Sequence, residues 1–428
     1  MLPGSLHSED RDCCAESSFS HSIFMRGRMK KISLMTFGCK VNQYESEKIR
    51  FLLSRNGYAA VEDWHDADVI IINSCVVTQK SEQKNRRLIR KMKRENPDAM
   101  VIAAGCLVEM GPVEGSDADI GNQNKISRIL ELFHIRDNEP LNFFSSRTRA
   151  FIKIEDGCNQ FCSYCIIPFT RGREVYVPVP DILSEARAMA ENGYREIVLT
   201  GIHLGRHPEL HDIIRKIADM DKVSRLRLSS IEINEVDEEL LLLMRDHPKV
   251  MPHLHIPLQS GSGKVLKSMN RPYSEKEMTE RLERIRKFLP KGGLTTDIIV
   301  GFPGEEEEDI RKSEEVILRY AFHRVHLFPF SPRPGTRAFT MEGRPEREAV
   351  SKRMERMAEA AQKGQKRFLD MMAGHTTSVL IESESPTGHF TGYTPEYLRV
   401  TISGRYKLNT IVPVTVNSSL QAEEVKEA

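Results

Sequence analysis

The sequence lacks an excess of charge of either sign, because 62 lysines and arginines face 61 aspartates and glutamates over 428 residues. Overall charge therefore predicts neither nucleic-acid nor membrane binding, and any basic surface must be local. No apolar run approaches the roughly 18 residues that cross a bilayer. The first 28 residues are polar and lack the apolar segment of a secretory signal. We therefore expect a cytoplasmic protein, in a compartment where clustered cysteines bind metal more often than they form disulfides.

Length and pattern divide the chain into an extension and three domains of an α/β protein. Residues 1–29 are polar, and we expect them to be disordered. Over 30–140, apolar runs such as KISLMTF, DVIIINS and AMVIAAG alternate with helical segments, which indicates a doubly wound parallel sheet. Six strand–helix repeats over 141–371 fit a partial, open barrel better than a closed eight-fold one. Short strands with glycine and proline turns predict a small β-barrel over 372–428.

Three cysteines follow the strands of the first domain. Cys39, Cys75 and Cys106 each lie within two residues of the carboxyl end of a predicted strand. That edge is where open α/β sheets bind ligands. The three could be small buried hydrophobic residues, since free cysteine is often interior. Their recurrence in successive units favours a shared ligand instead. Two more cysteines, Cys13 and Cys14, belong to the polar extension.

The central motif DGCNQFCSYCIIPFTRGRE places Cys158, Cys162 and Cys165 directly after the first predicted barrel strand. Chemistry in such folds lies at the carboxyl ends of the strands. Structural zinc takes four protein ligands, usually as paired knuckles, and no fourth cysteine or histidine lies nearby. A redox pair needs only two thiols. Three thiolates can hold three irons of a 4Fe–4S cluster and leave the fourth iron open to another ligand, which is the interpretation we favour.

The Cys-x3-Cys-x2-Cys spacing in this position resembles that of radical S-adenosylmethionine enzymes. The resemblance implies that the open iron binds S-adenosylmethionine and that electron transfer cleaves it to a 5'-deoxyadenosyl radical. The strand ends LTGIHLG, LSSIE and DIIVGFPGE resemble cofactor-binding edges, although many members have Gly-Gly-Glu where this chain has LTGIHLG. The glycines among them could also be ordinary turn residues. The candidate cofactor-binding residues are Gly201, Ser230, Glu232, Gly301 and, at another strand end, Gln259.

Taken together, the three domains resemble the methylthiotransferase family of these enzymes over about residues 30 to 420. TFGCKVNQYESE, INSCVVTQKS and AAGCLVE resemble the domain that binds a second 4Fe–4S cluster through three cysteines, and GHFTGYTPEYLRVTI resembles the TRAM domain. The resemblance implies two [4Fe-4S] clusters, one on Cys39, Cys75 and Cys106 and one on the central motif. It also implies S-adenosyl-L-methionine and an electron donor such as flavodoxin or ferredoxin. We expect a monomer.

Within the family, GCKVNQYES, LTGIHLG and RLRLSSIE resemble the branch that methylthiolates C2 of N6-threonylcarbamoyladenosine at position 37, in the anticodon stem-loop of transfer RNA. The branch that acts on isopentenyladenosine usually has Gln-Met-Asn where this chain has Lys40, Val41 and Asn42. Three alternatives stay open. The substrate could be isopentenyladenosine or a ribosomal-protein side chain, or the protein could be a non-enzymatic iron–sulfur protein that binds RNA.

Local charge supports an RNA substrate. The segment KSEQKNRRLIRKMKR has eight basic residues against one acid, and such a patch can neutralise phosphates, although it could also be a solvated helix face. Two arginines follow the three cysteines of the central motif, where a nucleic acid would enter, unless they pair with Glu174 or other acids. Aromatic residues beside cations in the last domain suit base stacking or a packed core. The predicted RNA-binding residues are Arg86, Arg87, Arg171, Arg173, Tyr393 and Tyr397.

Overall fold

The computed structural model describes residues 29–144, 148–417 and 419–424, so Cys13, Cys14 and nearly all of the predicted extension lie outside the described residues. The N-terminal domain contains strands β1 (Lys31–Thr36), β2 (Ala59–Ala60), β3 (Val69–Ser74), β4 (Met100–Gly105) and β5 (Ala118–Ile120) and helices α1 (Lys40–Arg55), α2 (Gln79–Glu95) and α3 (Lys125–Leu132). The strands form one parallel sheet in the order β2-β1-β3-β4-β5. This confirms the predicted parallel sheet.

Both faces of this sheet are covered, which explains the continuous apolar runs of its strands. On one face Ile71 belongs to a core that includes Leu52 of α1 and Ile129 of α3. On the other face Ile70 belongs to a core with Ile89 of α2. Helix α1 begins at Lys40, directly after Cys39. Polar contacts hold its first turn, because the Asn42 side chain donates hydrogen bonds to two backbone carbonyls. The apolar pattern of the sequence does not indicate such contacts.

The central domain is an open barrel of six parallel strands. A short hairpin of β7 (Glu155–Asp156) and β8 (Val175–Tyr176) follows the first of them. The six barrel strands are β6 (Arg149–Lys153), β9 (Glu196–Thr200), β10 (Arg225–Leu228), β11 (His253–His255), β12 (Gly293–Val300) and β13 (Arg324–Pro329). They form two parallel sheets, β6-β9-β10 and β11-β12-β13. Two parallel bridges, Leu226 with Val250 and Ser230 with His255, join the sheets. All six predicted strands are therefore confirmed.

Helices cover the outside of this barrel. The short α4 (Ile167–Thr170) is an exception, because it contacts the N-terminal domain. The helices on the outside are α5 (Val179–Glu191), α6 (Leu210–Ala218), α7 (Glu238–Asp246), α8 (Gly263–Ser268), α9 (Glu275–Phe288), α10 (Glu307–Arg319) and α11 (Arg347–Met372). Their apolar faces pack on the strands in one core, in which Ile213 of α6 and Leu282 of α9 are fully buried. Among the described helices, none combines the length and apolarity needed to cross a membrane.

The C-terminal domain is a closed barrel of five strands in the order β14-β15-β16-β18-β17. The strands are β14 (His375–Glu384), β15 (His389–Tyr393), β16 (Arg399–Ser403), β17 (Ile411–Val416) and β18 (Gln421–Glu424). Its core includes Val379, Phe390 and Val400 and extends to Phe368 and Met372 of α11. The small β-barrel predicted from the short strands and turns is confirmed.

The segment after β15 covers the N-terminal ends of the central strands. Arg227 of β10 donates hydrogen bonds to the carbonyls of Thr394 and Pro395, at 3.1 and 2.8 Å. The same guanidinium pairs with Glu196 at the start of β9, at 2.8 Å. Gly293, at the start of β12, lies so close to the carbonyl of Glu396 that a β-carbon there would overlap it. The two barrels are therefore in direct backbone contact.

Candidate active site

A single cavity of about 370 Å³ lies at the carboxyl ends of the strands, between the N-terminal domain and the open barrel. Thiols from both domains line it, and all of them are free. They are Cys39, Cys75, Cys106, Cys158, Cys162 and Cys165. The structure therefore brings all six candidate ligands to one place, although the two groups of three come from separate domains.

The N-terminal group consists of Cys39, just before α1, Cys75, just after β3, and Cys106, just after β4. Burial, and beyond it repulsion from the other two thiols, raises the pKa of Cys75 to about 11. Gly38 allows the chain to approach Cys75 this closely. Its φ is +106°, and a β-carbon there would lie 2.7 Å from the Cys75 β-carbon. We call these three residues the N-terminal trio.

The central trio, Cys158, Cys162 and Cys165, lies on the loop between the strands of the β7–β8 hairpin. Burial, with repulsion from Cys162 and Cys158, raises the pKa of Cys165 to about 12. The loop is anchored at both sides, because the Cys158 amide donates to the Gly172 carbonyl at 3.1 Å and the Ser163 amide donates to the Met269 carbonyl at 2.9 Å. Its thiols are therefore fixed relative to the barrel.

Both trios fit an iron–sulfur cluster. Thiolates are the ligands that such clusters use, and a bound metal replaces the proton that a buried thiol would otherwise keep. His203 lies 3.6 Å from the Cys158 sulfur, but its two ring nitrogens face Glu174 and Glu235 at 2.9 and 2.7 Å. Although burial opposes the charge, hydrogen bonds to Cys158 and Glu235 raise the pKa of His203 to about 11.

Four of the five candidate cofactor-binding residues line the same cavity, namely Gly201, Ser230, Glu232 and Gln259. Glu232 forms an ion pair with Arg271, which also lines the cavity. The fifth candidate, Gly301, is not among the lining residues. Its amide donates a hydrogen bond to Glu305 at 2.6 Å, and its α-carbon faces Val350 of α11. The structure therefore brings four of the five candidates to the cavity.

The two arginines after the central motif have different surroundings. Arg171 lines the cavity, but its side chain is only 1% exposed. It pairs with Asp156 at 2.6 Å and Glu45 at 3.4 Å and donates a hydrogen bond to Asn42. Arg173 is exposed. For Arg171 the structure favours the pairing alternative, with Asp156 and Glu45 as the acids.

The remaining candidate RNA-binding residues lie far apart in the fold. On α2, Arg86 pairs with Glu82 at 3.1 Å, whereas Arg87 is exposed. Tyr393 and Tyr397 stack on each other with ring centroids 4.5 Å apart, and Tyr397 also stacks on His253 of the open barrel at 4.5 Å. The two tyrosines thus pack between the barrels. This agrees with the alternative that they belong to a packed core rather than to a base-stacking surface.

The sequence matches two protein-family models and resembles several proteins of known name. Residues 152–317 match the model of the Radical SAM superfamily, and residues 31–120 match the model described as uncharacterized protein family UPF0004. A relative from Chlamydia pneumoniae, named threonylcarbamoyladenosine tRNA methylthiotransferase MtaB, is 36% identical over 90% of this chain and 94% of its own length. A Bacillus subtilis protein of the same name is 33% identical over 88% and 91%. The chain belongs to the radical SAM methylthiotransferase family.

Other members and one solved structure complete the comparison. A protein from Thermodesulfovibrio yellowstonii, named tRNA-2-methylthio-N(6)-dimethylallyladenosine synthase, is 31% identical to this methylthiotransferase over 92% of this chain and 96% of its own length. The structure of the radical S-adenosylmethionine methyltransferase TsrM from Kitasatospora setae matches with a TM-score of 0.56 at 14% identity, covering 73% of this chain and 77% of TsrM. At that identity the match shows a shared fold.

Arg271 and Asp297 are among the cavity residues of this methylthiotransferase that sequence reasoning missed. Asp297 could have been found, because it is a lone acid inside the apolar strand β12. Arg271 lies in the turn between α8 and α9, where no periodic pattern distinguishes it from other surface arginines. Its guanidinium donates to the Cys162 sulfur at 3.4 Å, a contact over 109 residues of chain that no local pattern reveals.

Proposed function

We propose that this protein methylthiolates C2 of N6-threonylcarbamoyladenosine at position 37 of transfer RNA. The observation that supports the proposal is the shared cavity, because two cysteine trios from two domains line the same space. A reaction that must bring a radical and a sulfur donor to one carbon atom needs both sites within reach of that atom. Relatives that align over most of the chain have names that specify this substrate.

The chain's own residues have distinct roles in this proposal. The central trio would hold one [4Fe–4S] cluster and the N-terminal trio the other, with S-adenosylmethionine against Gly201, Ser230, Glu232 and Gln259. When bound, these groups supply the radical, the sulfur and the methyl group. Exposed Arg87 and Arg173 would contact phosphates of the anticodon stem-loop.

We propose that the protein works as a cytoplasmic monomer that receives electrons from a donor such as flavodoxin or ferredoxin. We place the domain limits at 30–140, 141–371 and 372–428. The last of these would assist RNA binding as a TRAM domain.

Nucleoside mass spectrometry of transfer RNA from cells that lack the gene tests the substrate. We expect loss of 2-methylthio-N6-threonylcarbamoyladenosine and accumulation of its unmethylthiolated precursor. A plasmid copy should restore the nucleoside, and a Cys162→Ala copy should not. Loss only of the methylthiolated isopentenyl nucleoside would assign the protein to the other branch.

Iron and sulfide analysis tests the two-cluster arrangement. After anaerobic reconstitution we expect about eight irons and eight sulfides per chain, because each trio can hold one four-iron cluster. The Cys158→Ala/Cys162→Ala/Cys165→Ala variant should retain about half of each. A wild-type value near four irons would contradict the assignment of the N-terminal trio.

Single substitutions should separate the two trios. Because they lie on loops of different domains, we expect Cys75→Ala to leave cleavage of S-adenosylmethionine measurable while methylthiolation stops. Cys162→Ala should abolish both. The measurement is chromatographic quantification of 5'-deoxyadenosine and of the modified nucleoside in one reaction. If Cys75→Ala also lost the spectroscopic signal of the central cluster, the two sites would not be independent.

A further inference from the structure

Two exposed phenylalanines lie beside the central trio. Phe161 directly precedes Cys162, and Phe169 belongs to α4, which begins two residues after Cys165. The two rings contact each other edge to face with centroids 5.9 Å apart, although each residue is 55% exposed. Large aromatic rings that are held together in water are unfavourable, and apolar patches of this kind mark surfaces that bind a partner. We call these residues the phenylalanine pair.

The phenylalanine pair lies outside the cavity. Gln160 and Ile167, which belong to the same two segments, line the cavity, whereas Phe161 and Phe169 are not among its lining residues. The loop of the central trio therefore has an inner side, toward the cofactor and the base, and an outer side, toward solvent. A base that enters the cavity between the two trios needs no contact with the pair.

Exposed cations flank the same loop. The Ser163 hydroxyl donates a hydrogen bond to the Ser268 carbonyl at 2.8 Å, and the Ala338 amide donates to the Ser163 carbonyl at 2.7 Å. Lys267 and Arg337 directly precede these two partners, and both are exposed. Neither forms an ion pair with an acid in the described part of the chain. Their charges are therefore available to attract an acidic protein to this side of the loop.

We propose that the phenylalanine pair, with Lys267 and Arg337, is the docking site of the electron donor, an acidic flavodoxin. The inference rests on the proposed function, because a cluster on the central trio needs an external electron. The reduced flavin of the donor loses one electron and the central cluster gains it, and no atom is transferred.

The position and chemistry of the surface support this partner. Electron transfer slows steeply with distance, and Phe161 is bonded to Cys162, so the pair lies on a short path from solvent to a ligand sulfur. The apolar dimethylbenzene edge of a flavin suits contact with phenylalanine rings, and the acidic surface of a flavodoxin complements the two cations. Docking on the outer side of the loop also leaves the cavity open to transfer RNA.

Binding of oxidised flavodoxin to the reconstituted, anaerobic protein tests the surface directly. The measurement is surface plasmon resonance with a recombinant bacterial flavodoxin that carries flavin mononucleotide. We expect Phe161→Ser and Phe169→Ser each to weaken binding about tenfold, the effect of removing an aromatic anchor at the centre of an interface. Lys267→Glu should slow association, and this effect should disappear at high salt.

Matched controls come from exposed residues elsewhere in the fold. Leu408 is 54% exposed between β16 and β17, and Lys222 is exposed just before β10. Leu408→Ser and Lys222→Glu should keep the wild-type affinity for flavodoxin. Wild-type affinity in both phenylalanine variants would overturn the inference, as would an equal loss in the controls.

Formation of 5'-deoxyadenosine with two reductants separates docking from cluster chemistry. With reduced flavodoxin we expect Phe169→Ser to raise the apparent KM for the donor about tenfold. With dithionite, a small reductant that needs no docking site, its rate should stay within about twofold of the wild type at equal iron content. An equal loss with both reductants would show that the ring acts on the cluster and would overturn the inference.

Two further outcomes distinguish this inference from the proposed function. If the phenylalanine variants lost affinity for transfer RNA but not for flavodoxin, the surface would belong to the RNA and the inference would be wrong, while the proposed function would stand. If the wild type formed no 5'-deoxyadenosine even with dithionite, the proposed function itself would fail, and the inference with it.

Discussion

At the scale of single residues, Arg271 connects the central trio to the candidate cofactor site. Its guanidinium donates hydrogen bonds to the Cys162 sulfur at 3.4 Å, the Tyr164 hydroxyl at 3.4 Å and the Pro257 carbonyl at 3.0 Å. It also pairs with Glu232. A positive charge and an N–H donor beside a ligand sulfur stabilise the more negative, reduced form of a cluster. We therefore expect Arg271 to position the central trio and to raise the reduction potential of a cluster bound there.

Replacing Arg271 by glutamine should lower the reduction potential of the central cluster. Loss of one charge-assisted hydrogen bond to sulfur corresponds to a shift on the order of 60 mV for a one-electron couple. The measurement is a redox titration followed by electron paramagnetic resonance. Arg281→Gln is the control, because Arg281 donates to the carbonyls of Ile233 and Asn234 and, within the described part of the chain, to no sulfur. An Arg271→Gln potential within about 10 mV of the wild type would contradict this role.

At the scale of elements, one side of helix α2 contacts the open barrel and the other side is exposed to solvent. Glu82 pairs with Arg86 on the helix and with buried Arg333 of the open barrel, at 3.1 and 2.6 Å. The Gln79 amide also donates to the Ser331 hydroxyl of the barrel. These contacts fix the helix across the domain boundary near the cavity, which Ser331 lines. The basic residues on the other side are exposed, and they include Lys80, Lys84 and Arg87.

Arg87→Ala should weaken transfer RNA binding without changing which nucleoside is modified. A residue that contacts one phosphate contributes about one unit to the slope of log affinity against log salt, so we expect the slope to fall by about one. Filter binding at several salt concentrations measures it. Arg245→Ala is the control, since Arg245 pairs with Asp246 on the outside of α7. An unchanged slope for Arg87→Ala would remove α2 from the RNA-binding surface.

The strands and the positions of the trios could be predicted from the sequence because both follow local patterns. Runs of apolar residues marked every major strand, and the strand-end rule placed Cys39 and Cys158 on the edges that face the cavity. Partners that are distant in sequence could not be predicted. Arg171 contacts Glu45, which is 126 residues away in sequence, and Tyr397 stacks on His253 of another domain. In both cases burial between domains determines the partner, and a single sequence contains no signal of it.

At the scale of the whole molecule, the two barrels share a buried charge cluster. Glu196 is fully buried at the base of the open barrel, and Arg227, Arg225 and Arg149 lie 2.8, 3.6 and 3.9 Å from its carboxylate. These arginines lower the pKa of Glu196 despite the opposing effect of burial. Because Arg227 also binds two carbonyls of the C-terminal domain, the cluster supports the fold of the barrel and its contact with that domain.

Arg227→Met should destabilise the protein strongly. Removing one partner leaves part of a buried charge uncompensated, which costs about 3 kcal/mol. The measurement is the apparent free energy of unfolding in urea. Arg356→Met is the control, because Arg356 pairs with Glu307 and Glu314 at the surface and should cost less than about 1 kcal/mol. A loss for Arg227→Met as small as that of the control would show that the cluster does not stabilise the barrel.

The direct backbone contact between the two barrels limits how far the domains can be exchanged between family members. Gly293 and the two arginines of β10 match the backbone of residues 393–396, so the C-terminal domain is fitted to this particular barrel. A chimera that takes the last domain from a relative must also take the residues at the strand starts. The two barrels therefore form one exchangeable unit. A domain exchange that aims to change RNA preference should place its junction before β6.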